Sequence, residues 1–133
     1  MRQGVDVMKP RILIVDDEEA ITRQLYWTLC EDYDVLTAND MQTAFRRATL
    51  YEPIVSILDL YLSDSPETGL RVIEYVKAHV PDSKVLVMTS ADGIEVKKAC
   101  YAAGADGFLD KPFDTELLLS TLRRMAPPKV QIA

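Results

Sequence analysis

A chain of 133 residues, 48% hydrophobic and 27% charged, amounts to about one globular domain, long enough to bury roughly two-thirds of its unfolded surface. The net charge of -6 argues against a nucleic-acid surface on this chain, because phosphate binding needs a basic footprint. No apolar run approaches the roughly 20 residues of a membrane span and no signal peptide opens the chain, so no membrane association is expected and the expected compartment is the cytoplasm.

Residues 1–8 show no periodicity and read as a flexible lead-in, with Met8 an alternative start. Arg11–Val15 is an aliphatic, β-branched run ending in Asp16 and Asp17. Apolar on both faces, it predicts a strand buried in a parallel sheet. Ala20, Ile21, Leu25, Thr28 and Leu29 then recur at helical spacing, and Trp27, beside that stripe, is assigned to packing. Asp34–Ala38 predicts a second strand. Asn39 and Gln42 make a capping box for a helix whose inner face is Met41, Ala44, Phe45 and Ala48. After Pro53 comes the third strand, Ile54-Val55-Ser56-Ile57-Leu58, closed by Asp59.

A polar loop over 61–67 follows, with Ser65 and Pro66 an N-cap and N1 pair. Leu70, Ile73, Val76 and Val80 form the inner face of that helix, and Pro81 stops it. Lys84–Thr89 is the fourth strand and ends in hydroxyls, Thr89 and Ser90. A helix over 93–103 ends at Gly104, suited to a left-handed C-cap. Residues 106–109 form a short fifth strand ahead of Asp110, Lys111 and Pro112. Asp114 caps a last helix with Leu118, Leu122 and Met125 inward, and residues 127–133, opening Pro127-Pro128-Lys129, read as a tail or the start of a linker. Cys30 and Cys100 fall in predicted helices without CxxC spacing and read as small buried hydrophobes in a reducing compartment. Five strand–helix units joined by short connections predict an α/β fold over residues 9–126: a doubly wound five-stranded parallel sheet in a three-layer sandwich.

Functional residues of open parallel sheets lie beyond the carboxyl ends of the strands. Four of the five predicted strands end there in reactive groups: Asp16 and Asp17, Asp59, Thr89 and Ser90, and Lys111 just past the last. Two like charges about 4 Å apart repel by roughly 4 kcal/mol at an effective dielectric of about 20. Three carboxylates in one crevice therefore either raise a pKa or hold a hard divalent ion, and Mg2+ (or Mn2+ in its place) suits oxygen ligands. Lys111 and Thr89 are donors whose natural partner is an incoming anion. A carboxylate nucleophile, a metal and a donor pair together describe phosphoryl transfer to Asp59.

Each residue alone has a plainer reading. Asp59 would serve as a cap, Asp16 and Asp17 would favour a helix dipole, Lys111 would be a solvated charge, Thr89 a strand-end hydroxyl and Phe108 core packing. Their arrival at one edge favours chemistry. His79 reads as an exposed cation at a helix end, not a phosphohistidine, and Tyr101 as part of an output or dimer face.

Residues 9–125 resemble the receiver (CheY-like) domain of two-component response regulators. Ile14-Val15-Asp16-Asp17-Glu18, Leu58-Asp59-Leu60, Val87-Met88-Thr89-Ser90, Gly104-Ala105-Asp106-Gly107-Phe108 and Lys111-Pro112-Phe113 carry the likeness. The resemblance implies a flavodoxin-like strand order 2-1-3-4-5. It implies that Asp59 accepts a phosphoryl group from a sensor histidine kinase or a phosphotransfer protein, with catalysis limited to its own phosphorylation and dephosphorylation. It further implies that Asp17 ligates Mg2+ directly, Asp16 largely through water, Asp59 as well, and Tyr61 by its backbone carbonyl. Lys111 would pair with the phosphate, Thr89 would move toward it, and Phe108 would follow as switch aromatic. A cis Lys111-Pro112 bond is implied too, as is a switching face of fourth helix, fifth strand and fifth helix through which such domains form homodimers.

The loop after Asp59 departs from the family pattern. Ser63 stands where proline is usual, and Gly69 lies ten positions after the acceptor, so the loop over 63–68 is two residues longer. That loop and Gln24-Leu25-Tyr26-Trp27 resemble receivers of sigma-54-dependent transcription activators. Tyr61 and Ala91, bulky and apolar beside the phosphate, imply a long-lived phosphoryl group. The output is expected to be transcription regulation through a further domain. A stand-alone regulator working by protein contacts is one alternative; a Mg2+-dependent phosphatase is another, disfavoured because Tyr61 stands where its second acid belongs.

Overall fold

The computed structural model describes residues 5–90, 93–127 and 129–132. Its elements in chain order are β1 (Val5–Met8), β2 (Arg11–Val15), α1 (Glu19–Leu29), β3 (Asp34–Ala38), α2 (Met41–Tyr51), β4 (Val55–Asp59), a 3-10 turn (Leu62–Asp64), α3 (Pro66–His79), β5 (Lys84–Thr89), α4 (Ile94–Ala103), β6 (Gly107–Asp110), α5 (Thr115–Met125) and β7 (Lys129–Ile132).

The aliphatic runs become strands because each has apolar side chains for two covered faces. They form one parallel sheet in the order β3-β2-β4-β5-β6, which is 2-1-3-4-5 when its own strands are counted. Successive side chains point to opposite faces, so each strand feeds two cores. Leu13, Val15, Leu58 and Val87 pack with Ala44 and Ala48 of α2, Ile73 and Val76 of α3, and Cys100 of α4. Ile12, Ile14, Ile57 and Met88 pack with Leu25 and Leu29 of α1 and Leu118 and Leu122 of α5. The chain thus has the three-layer, flavodoxin-like sandwich with β4 central and buried along its whole length.

Several local signals are realised as the sequence predicts. Ser65 caps α3 by accepting from the Glu67 amide, with Pro66 at the first turn, and Asp114 caps α5 through the Glu116 amide. Gly104 ends α4 at φ 119, a left-handed conformation in which a side chain is strained. The Lys111-Pro112 bond is cis.

Others differ. The N-cap of α2 is Asp40, whose carboxylate accepts from the Thr43 amide at 2.8 Å; Asn39 is used elsewhere. Trp27 does not pack into the core. It is 70% exposed, standing edge-on to Tyr26 on the outer side of α1. Cys100 is buried, whereas Cys30 is only partly so, and neither forms a disulfide. The segments read as lead-in and tail pair with each other: β1 and β7 are antiparallel, Val5 opposite Ile132 and Val7 opposite Val130.

Gly69 explains how α3 reaches the end of β4. A Cβ built there would lie 2.1 Å from the Leu60 carbonyl oxygen, so only glycine lets the helix sit so close. Gly69→Ala must push the helix off the strand end, and the expected cost is about 3 kcal/mol, at the upper end for overpacking. Urea unfolding followed by circular dichroism checks this as a lowered midpoint at unchanged slope.

Candidate functional site

Parallel register places the acids side by side. Val15 pairs with Leu58, so the next residues on the two strands, Asp16 and Asp59, share the carboxyl edge of the sheet. On the other side of β4, Asp59 is level with Met88, one residue before Thr89, and Thr89 is level with Asp110, one residue before Lys111. The Lys111 amide donates to the Thr89 carbonyl at 2.7 Å, which fixes the lysine loop against the end of β5.

Asp16 is fully buried. Its Oδ1 accepts from the Glu18 amide at 2.9 Å and its Oδ2 from Lys111 Nζ at 3.0 Å. Asp59, 7% exposed, accepts from the Tyr61 amide at 3.2 Å through Oδ1, and its Oδ2 lies 3.5 Å from Lys111 Nζ. Asp17 is exposed, and its Oδ2 accepts from the Ser63 amide at 3.0 Å. One ammonium therefore faces two buried carboxylates while a third stands at the rim.

The electrostatics follow from that imbalance. Burial raises the pKa of Asp59, and the Asp16 charge adds to the effect, more than Lys111 and the Tyr61 amide offset it. For Lys111 burial favours the neutral amine, but the hydrogen bond it donates to Asp16 and the charges of Asp16 and Asp59 outweigh it and leave its pKa raised.

Asp16, Asp17 and Asp59 each offer an oxygen, and these atoms lie within 4.8 Å of one another. An all-oxygen, net-negative donor set is what a hard divalent cation requires, so the residues present fit a metal. The expected fourth ligand, the Tyr61 carbonyl, accepts from the Asp64 amide at 2.9 Å, and a carbonyl keeps a second lone pair. Above the acids opens a cleft of about 700 Å³ lined by Asp17, Glu18, Asp59, Tyr61, Asp64, Ser90 and Lys111. Thr89 is 1% exposed, and its Oγ1 is buried with no hydrogen-bond partner among the described residues, which is costly for a hydroxyl.

Phe108 is not part of the cleft. It lies on β6 with the Tyr101 ring edge-on at 4.9 Å and Lys97 Nζ 5.6 Å over its face, so α4 holds it from outside. Ala91 lies outside the described residues. Sequence reasoning missed Asn39, whose side-chain amide donates to the Asp16 carbonyl at 2.8 Å and holds the turn bearing Asp16 and Asp17. It also missed Asp64. The available signals were a carboxamide just past a strand end and an acid in a lengthened loop.

Comparison with known proteins shows the family and the fold. The family model of the response regulator receiver domain matches residues 12–123. The transcriptional regulatory protein TrcR of Mycobacterium tuberculosis is 33% identical over 114 residues, which cover 85% of this chain and 44% of TrcR. The chain spans about half the length of the curated relatives it matches. Among solved structures, chemotaxis protein CheY4 of Vibrio cholerae superposes with a TM-score of 0.81 at 31% identity, covering 89% of this chain and 99% of that one. A response regulator of Burkholderia pseudomallei, solved with a phosphorylated aspartic acid and a calcium ion, gives 0.77 at 29% identity over 86% of this chain and 66% of that one.

A raised carboxylate pKa means that the folded protein holds the proton of Asp59 more tightly than the unfolded chain does. This group's contribution to stability is therefore largest at acid pH and is lost as pH rises from the ordinary value of 3.8 through the folded value. Asp59→Asn, which cannot ionise, is expected to melt a few degrees above the parent at neutral pH in EDTA, and the gap should close as pH falls toward 3.8. Thermal unfolding across that range, read by circular dichroism, tests it.

Proposed function

Because this chain belongs to the response regulator receiver domain family, we propose that it is the phosphorylation-controlled switch of a two-component system, with Asp59 as the acceptor. The observation that carries this reading is the convergence of Asp59, Asp16 and Asp17 with Lys111 at one sheet edge. The phosphorylated aspartic acid of the Burkholderia pseudomallei response regulator supports it by analogy.

In the proposed reaction a carboxylate oxygen of Asp59 attacks the phosphorus of a phosphohistidine on a sensor histidine kinase or phosphotransfer protein. The O–P bond forms as the N–P bond breaks, and the imidazole leaves as the neutral ring after taking up a proton. The nucleophile must be ionised. Burial and Asp16 work against that, and Lys111 works for it. Mg2+, or Mn2+ in its place, held by Asp17, Asp59, the Tyr61 carbonyl and, through water, Asp16, would neutralise phosphoryl oxygens as charge develops. Lys111 Nζ, already between Asp16 and Asp59, pairs with a phosphoryl oxygen from its side of the cleft. The buried Thr89 hydroxyl, without a partner among the described residues, donates to another.

Drawing Thr89 toward the phosphate vacates space beside β5, and Phe108 turns inward from its place against Tyr101 and Lys97. The result is a population shift of the face made by α4, β6 and α5, where Ile94, Tyr101 and Leu117 are exposed. That face is the proposed contact for a homodimer or a downstream element. The proposed output is transcription regulation through a domain outside this chain, and the proposed setting is the cytoplasm. Among the described residues no helix is long and apolar enough to cross a membrane.

Incubation with Mg2+ and acetyl phosphate or phosphoramidate, followed by intact-mass measurement, tests the reading. The parent should gain a single phosphoryl group in near-stoichiometric yield; Asp59→Ala, or the parent in EDTA, should gain none. A hydrolysed phosphate ester with no adduct would favour a phosphatase instead.

A further inference from the structure

The loop over 63–68 is the part of this chain that departs from the pattern, and it meets the acidic edge by its backbone. Ser63 and Asp64 both have φ 58, inside the left-handed region that side chains rarely adopt. Their two amides point at two different oxygens of the site. Ser63 N–H donates to Asp17 Oδ2 at 3.0 Å across 46 residues of sequence, and Asp64 N–H donates to the Tyr61 carbonyl at 2.9 Å.

We propose that the Ser63–Asp64 turn is a positioning clamp for the divalent cation, holding Asp17 and the Tyr61 carbonyl in the geometry at which both can ligate it. The inference rests on the reading of Asp16, Asp17 and Asp59 as a metal site. Asp17 needs such a hold most. Asp16 is buried and bonded on both oxygens, and Asp59 is buried and bonded by the Tyr61 amide, but Asp17 is exposed. A carboxylate free to rotate at a rim loses rotamer freedom when it binds a cation, and a partner that fixes it beforehand removes that cost. Left-handed φ at both residues keeps the turn tight enough for two successive amides to face inward. Proline at 63 could supply neither the N–H nor the φ. A β-branched residue keeps the N–H but resists the φ.

Isothermal titration of the unphosphorylated 133-residue chain with Mg2+ alone separates these contributions, with thermal unfolding as the check on folding. Ser63→Pro is expected to weaken Mg2+ binding roughly tenfold or more, as loss of an outer partner of a metal ligand commonly does. Ser63→Val should weaken it in the same direction by a smaller factor. The conservative variant Ser63→Gly keeps the amide and accepts φ 58 freely, so it should bind within about twofold of the parent. Should Ser63→Pro fail to fold, the comparison of Val with Gly still decides the matter. Folded Ser63→Pro or Ser63→Val binding Mg2+ as tightly as Ser63→Gly would overturn the clamp while leaving the metal site intact. Asp17→Asn that binds like the parent would instead remove the metal reading itself, and the clamp with it.

Discussion

At one edge of the sheet two buried carboxylates share the ammonium of Lys111 while a third stands exposed beside them, and most of the molecule can be understood as holding that imbalance in place. Asp16 and Asp59 are buried on neighbouring strands, so neither can turn away into water. Lys111 reaches both and offsets only part of their mutual repulsion. The residual negative potential is a cost to the fold and a source of affinity for a hard cation and, beyond it, for an anion bridging cation and lysine. A response regulator receiver domain is, in these terms, a sheet edge kept electrostatically unfinished.

The surrounding packing is what makes the imbalance sustainable. β4 is buried along its whole length and anchored between β2 and β5, which fixes where Asp59 emerges. The close approach of α3 at Gly69 then leaves the chain after Asp59 little room to relax away from the site. Asn39 holds the Asp16 backbone from just past β3, and the Thr89 carbonyl holds Lys111 from β5. Asp16 and Lys111 are thus each held by a group at the end of another strand, a coupling that a doubly wound sheet supplies through its register.

The same edge contains an asymmetry. Asp16 and Asp59 both have hydrogen-bond and ion-pair partners, whereas the Thr89 hydroxyl, buried at the end of β5, has none among the described residues. On the far side of β6, Phe108 is held from outside by Tyr101 and Lys97. In the proposed switch, the unsatisfied hydroxyl inside and the aromatic ring held by α4 would be two ends of one movable set, linked through adjacent strands. Tight packing makes such a set favour discrete positions over a continuous range.

Residue periodicity by itself determined the strands, the helix faces and the alternation that demands a parallel sheet with helices on both sides. It also determined the caps at Ser65, Asp114 and Gly104, because a cap is a contact among residues a few positions apart. From those came the sheet edge where Asp16, Asp17, Asp59, Thr89 and Lys111 had to meet. Wherever a side chain had a choice between a local and a distant partner, only the tertiary structure decided. Asn39 looks like a cap, yet its amide goes to Asp16 and Asp40 takes its place on α2. Trp27 lies beside an apolar stripe, but the width of the buried face, set by how α1 rests on the sheet, leaves it in water. The β1–β7 pairing joins opposite ends of the chain, and no local pattern carries it. The loop after Asp59 was legible as longer than usual; that it turns left-handed and lends the Ser63 amide to Asp17 was not, since a hydrogen bond from a backbone amide to a side chain 46 residues away depends on register and curvature and leaves no mark on which side chain stands at Ser63.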